Sequence, residues 1–180
     1  MGNYEQSRVK KHLGHIVHLR VIDPRRDVIE ALIPFRNPKN NVFRFSDFEM
    51  TPTLKEVVSF MRKGPIIPKN VVAKKFLYLL KINQIEKESL KNGRVSVDFL
   101  YERCEAWTVN GCFVFMVAIL GFIIFPKRDK HIDIRLAGVV KALNTMENPT
   151  IIPMILTDIL CALTKCKKGE KYFEGSNILL

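Results

Sequence analysis

Three histidines, His12, His15 and His18, recur at three-residue spacing near the start of the chain. On a helix over residues 10–21 they fall within about a third of a turn, where imidazoles can share a metal ion. Zinc sites more often pair histidines at i, i+4 and add a distant cysteine or carboxylate, so a polar helix face is the plainer reading. Cys104, Cys112 and His131 are the residue types of a thiolate nucleophile and its base. Cys112, however, lies deep in an apolar run, where burial disfavours the thiolate. Cys161-x4-Cys166 lacks zinc-ribbon spacing and has no second pair nearby. Asp158 is the most distinctive polar residue, a carboxylate inside an apolar helical stretch. It could act in catalysis or bind a partner; the simplest role is an ion pair on a second helix face shared with Thr157, Cys161 and Lys165. Phosphate-loop, dinucleotide, H-E-x-x-H, G-x-S-x-G and Asp-Thr/Ser-Gly patterns are all missing from the sequence. No catalytic, cofactor-binding or metal-binding residue is therefore assigned, and the reading is of a non-enzymatic protein without a cofactor.

The elements that would position such residues follow from composition and pattern. The chain has 180 residues, enough for one domain with a sizeable core, and 47% hydrophobic with 26% charged residues is globular rather than disordered. Its net charge of +11 is spread along the chain: nine Lys/Arg stand against four Asp/Glu in residues 1–45, and twenty against fourteen in 46–180. A dispersed excess favours acidic partners or nucleic acid without marking a groove. Four cysteines without C-x-x-C spacing, and a start without a signal-peptide core, read as reduced thiols in an intracellular protein.

The clearest order lies in residues 41–61, NVFRFSDFEMTPTLKEVVSFM. Phe43 and Phe45 alternate with Arg44 as in an extended segment, and Phe48 follows a Ser-Asp turn signal. The three phenylalanines read as core. Thr51-Pro52 reads as a cap and first turn, and Leu54, Val57, Val58 and Met61 form one helix face. Further helices are expected from Asp23-Pro24 to Leu32, over 71–82 behind an Asn70 cap, over 98–107, over 136–143 and over 150–165, with extended pieces near 42–48 and 95–97. From Cys112 to Phe125 the chain reads CFVFMVAILGFIIF. Fourteen residues reach about 21 Å at 1.5 Å per residue, short of the roughly 30 Å of a hydrocarbon core, so a central buried helix is preferred to a membrane span over 106–126. The sum is a mainly α single domain of about seven helices, with residues 1–22 as a polar segment and short helix before a domain over 23–180. The residue 41–61 unit is expected to pack against the 112–125 helix.

Residues 31–61 resemble the opening of the plant mobile domain superfamily, in which an aromatic segment and an acidic residue precede Thr-Pro-Thr-Leu-Glu-Glu. More narrowly, they resemble a plant domain of unknown function associated with retroelements and transposons. Thr51-Pro52-Thr53-Leu54 matches outright, Asp47 or Glu49 fills the acidic position, and Lys55-Glu56 departs from Glu-Glu. Trp107, Phe115, Leu120-Gly121 and Phe125-Pro126 are similar to the family's W…AF…LLG…FP segment. PMILTDILCALTKCKKGEKYFEGSNILL is similar to its later helix and Phe-Glu-Gly-Cys-Asn segment, with Thr157, Leu160 and Ser176 as departures. The resemblance implies a non-enzymatic, nuclear protein-interaction module of silencing or genome-maintenance type with phosphatase-like protein partners. In that family the terminal apolar run leads into another helix, so a truncated chain is expected here. Two alternatives stand beside this one: a non-specific nucleic-acid-binding basic domain, and a membrane protein spanning through Cys112 to Phe125.

Overall fold

A computed structural model describes residues 7, 26–51, 65–73, 77–80, 82–83, 86–87, 90, 92–104, 109–147 and 149–175. The histidine triad and the expected helix after Thr51-Pro52 lie outside them.

Helix α1, Arg26–Leu32, runs into a 3-10 turn, Ile33–Phe35, and then into a three-stranded antiparallel sheet of β1, Arg36–Asn37, β2, Val42–Arg44, and β3, Glu49–Met50. The β1–β2 loop closes on Asn41, whose φ of 57° is a left-handed conformation that asparagine tolerates better than most residues. Arg36 pairs with Phe43, and Arg44 with Glu49, whose side chains form an ion pair at 2.8 Å. Helix α2, Lys69–Ala73, and a 3-10 turn, Leu77–Leu80, follow. Strand β4, Arg94–Ser96, leads into helix α3, Val97–Cys104, where the Phe99 N–H donates to Ser96 Oγ at 3.1 Å. That serine is the cap that turns the strand into a helix.

Helix α4, Val109–Ile119, is the centre of the core. Val117 is fully buried, and Cys112, Val114 and Met116 are nearly so. The helix widens into a π-helical segment, Leu120–Ile124, which ends as the Phe125 N–H donates to the Leu120 carbonyl at 2.7 Å. Strand β5, His131–Asp133, pairs antiparallel with β4 and sets Ile132 opposite Val95, both buried. Helix α5, Leu136–Thr145, buries Leu136, Val139, Val140 and Leu143, the face its periodicity predicts. Helix α6, Ile152–Lys167, accepts Pro153 in its first turn, where no helical hydrogen bond is lost. It stops at Gly169, φ 104°, with the Gly169 N–H on the Cys166 carbonyl and the Glu170 N–H on the Lys165 carbonyl, at 3.0 and 3.1 Å. This is a Schellman stop, which requires a residue able to adopt the left-handed conformation.

The expectation of a mainly α domain of about seven helices is corrected by these elements. Among the described residues, six α-helices share the fold with a three-stranded and a two-stranded antiparallel sheet, an α+β arrangement. Strands of two or three residues are too short for the alternation that identifies a strand in sequence. The pairing of β4 with β5 also joins positions nearly 40 residues apart. The extended pieces expected near 42–48 and 95–97 are strands β2 and β4, the latter beginning at Arg94. The described parts of 71–82 are the end of α2 and the 3-10 turn rather than α-helix throughout, and Asn70 lies inside α2, which starts at Lys69. The N-terminal sheet docks chiefly on α6, through β1 and the turn before it, rather than on α4; residues 52–61 of the expected 41–61 unit lie outside the described residues. Among the described residues, no helix is long and apolar enough to cross a membrane.

Candidate functional site

Asp158 sits on the flank of α6, beside the buried Ile155–Ile159 face. Lys127, on the loop beyond the π segment, brings its Nζ to 3.5 Å from Asp158 Oδ1 and donates to the Glu174 carbonyl at 3.4 Å. Asp158 Oδ2 is buried without a hydrogen-bond partner among the described residues. Burial pushes the carboxyl above its ordinary range; Lys127 and Lys165 pull it back, and Glu174 adds to the rise. The arrangement is an intramolecular ion pair that ties the end of the α4 segment to α6 and to the C-terminal segment. Next to it Arg128 stacks over the Tyr172 ring at 3.9 Å. Both residues, with Glu170, Lys171 and Glu174, line a shallow cleft of about 280 Å³.

A carboxyl that binds its proton more tightly in the folded state stabilises the fold below its unfolded pKa, near 3.9, and that contribution is lost as pH rises through the higher folded value. Asp133 behaves in the opposite sense. Burial pushes it up, but hydrogen bonds and charge from Arg135 outweigh burial and hold it below the usual carboxylate range. Its contribution is present above pH 3.9 and fades in acid. Asp158→Asn is therefore expected to gain stability relative to the wild type as pH is raised through the higher folded value, then level off. Urea unfolding at a series of pH values measures it, and a constant difference would mean an unperturbed carboxyl.

His131 sits against Asp129, and the Cys104 side chain lies outside the described ones. The His131 Nδ1 lies 2.6 Å from the Asp129 carbonyl, and Asp129 Oδ2 is 3.8 Å away. Cys112 is 4% exposed within α4. Cys112, Cys161 and Cys166 are in no disulfide, and burial raises Cys166 away from thiolate character, helped by Glu170. Among the described residues no group of three His, Cys, Asp or Glu could hold a metal ion.

Two arrangements were not visible in the sequence. Arg36, two residues after Pro34, carries no local signal of burial, yet it is 2% exposed. Its Nη1 donates to the Asn37 and Val42 carbonyls, both at 3.3 Å, and its Nη2 to Asn41 Oδ1 at 2.7 Å and Thr164 Oγ1 at 3.5 Å. Its Nε has no partner, and no carboxylate pairs with it among the described residues. Lys167 reinforces the same junction by donating to the Pro34 carbonyl.

The second is aromatic. Phe43 is core at 5% exposure, as expected, but Phe45 is half-buried and Phe48 is 56% exposed, so the three do not form one core group. Phe35, Phe45 and Phe48 instead stack in series, with centroids 4.7 and 5.0 Å apart. A turn places them: the Phe45 N–H donates to the Phe48 carbonyl at 2.9 Å, folding Phe48 back onto Phe45. A third exposed ring, Phe122, lies at 58% exposure in the π segment, between buried Gly121 and buried Ile124.

These features define an α+β domain with exposed aromatic surfaces and paired, structural charges. The chain belongs to the family described as Domain of unknown function (DUF7745), whose profile matches residues 1–173. No curated protein and no solved structure matches it significantly.

Proposed function

We propose that this chain is a non-enzymatic protein-interaction module, similar to plant mobile domains and of retroelement or transposon ancestry. It acts with phosphatase-like partners in nuclear silencing or genome maintenance. The ancestry and setting are supported by the sequence resemblance, whose Leu120-Gly121 and Phe125-Pro126 residues fall in and just after the π segment. The observation that carries an interaction role is Phe122. A wide π turn presents a large apolar ring to solvent within the most apolar stretch of the chain. Such segments are frequent at functional sites, and exposed aromatic rings are the usual anchors of protein interfaces.

The test is affinity capture from plant nuclear extract with the full chain as bait. Wild-type protein is expected to retain a defined set of proteins, and Phe122→Ser to lose at least part of it while keeping its circular dichroism spectrum. Retention of the same set by both baits, or of nothing by the wild type, would sink the reading.

A further inference from the structure

The stacked phenylalanines point to a ligand of a different class from a protein partner. We infer that Phe35, Phe45 and Phe48 form a platform on which unpaired bases of a single-stranded nucleic acid stack.

The geometry supplies the first support. The rings lie nearly parallel, tilted by 29° and 25°, and the two end rings, Phe35 at 43% and Phe48 at 56%, are more open than the middle one. Each end of the stack can be continued by one more flat ring, and every base has a π-face that fits there. A protein anchor is a single ring, as at Phe122, that fills a pocket in its partner. Phe35 and Phe48 offer open faces on turn residues instead.

Charge supplies the second. The chain carries +11 overall, and three lysines stand near the Phe35 end of the stack in fold or sequence. Lys167 is held on the Pro34 carbonyl, one residue from Phe35, and Lys168 is exposed beside it. Lys39 is exposed in the loop after β1. Arg44 follows Phe43 but is taken up by Glu49, and Asp47 and Glu49 flank Phe48. Phosphates therefore belong at the Phe35 end, and the Phe48 end contacts a base alone. Binding of this kind reads no sequence, because stacking tolerates every base and lysines contact only the backbone.

The experiment is fluorescence anisotropy of a fluorescein-labelled 20-mer of deoxythymidine with the full chain. With about three phosphate contacts on a single strand, affinity is expected to fall about twentyfold between 50 and 200 mM salt. Phe35→Ala and Phe48→Ala are each expected to weaken binding about fivefold or more. Phe122→Ser is expected to bind the oligonucleotide normally, which separates this site from the protein-interaction reading. A Phe48→Trp variant adds a direct readout: its emission, after subtraction of the wild-type signal, should be quenched as a base stacks on the ring. Four outcomes would overturn the inference: no binding at 50 mM salt, equal binding by both alanine variants, equal affinity for a 20-base-pair duplex, or unquenched tryptophan emission at saturation. Loss of a captured protein from the phenylalanine variants, with oligonucleotide binding intact, would assign the stack to a protein partner and also overturn it.

Discussion

Gly121→Ala is expected to destabilise the protein by about 2 kcal/mol, and Gly121→Val by about 4 kcal/mol. Gly121 is the point where the π segment touches strand β5. A Cβ there would stand 2.3 Å from Ile132 Cγ2 and 2.9 Å from Ile132 Cβ, well inside van der Waals contact. Ile132 cannot easily withdraw. It is 2% exposed and paired in register with Val95, and Asp133 and His131 on either side are paired with Arg94 and Ser96. Overpacking of this kind costs about 1–3 kcal/mol, and alanine recovers up to about 1 kcal/mol through its better helical propensity. Valine lacks that compensation and adds two methyl groups. In a chain of this size about 2 kcal/mol corresponds to a fall in Tm of roughly 4–8 °C. Differential scanning calorimetry measures it. The cause is checked by a double-mutant cycle: Ile132→Ala removes the two nearest carbons, so its loss and that of Gly121→Ala should fail to add by more than about 0.5 kcal/mol. Strict additivity would place the strain elsewhere.

Arg36→Ala is expected to cost about 3 kcal/mol, and Arg36→Met to recover at least half of that. The guanidinium joins three things: its own strand, the β1–β2 loop through Asn41 and Val42, and α6 through Thr164. Alanine leaves a cavity at the sheet–helix junction and strips partners from buried acceptors, each loss worth about 1 kcal/mol or more. Methionine restores the volume without a charge. The distinction matters because Arg36 is a buried cation without a paired carboxylate among the described residues, and burial lowers its pKa, offset only in part by nearby Cys161. A buried charge that is not balanced by an opposite one is often replaced by apolar volume with little loss. Urea unfolding of the two variants decides the point. If methionine proves as damaging as alanine, the hydrogen bonds rather than the filled volume hold the junction.

Much of the helical scaffold was legible in the sequence. Residues 136–143 and 152–163 carry apolar spacing long enough for a 3.6-residue period to show, and the caps and stops around α6, Pro153 and Gly169, have local physical causes. The 112–125 run was legible as a central buried helix because its length falls short of a bilayer. Its closing π turn was not; there Gly121 lies against Ile132 of β5, a contact that only the tertiary structure sets. Asp158 was legible as a paired residue, but its partner, Lys127, stands 31 positions away and only packing selects it.

The sequence alone determined the long helices, the basic charge and a family resemblance, because each is set by local pattern or composition. Tertiary structure decided the rest. It paired short strands into two sheets and buried Arg36 against α6. Of four phenylalanines within fourteen positions, it placed Phe43 in the core and stacked Phe35, Phe45 and Phe48 toward solvent. The physical reason is that burial depends on what lies across the gap. Residues of equal hydrophobicity two positions apart take different fates once a turn, here closed by the Phe45 N–H on the Phe48 carbonyl, redirects the chain.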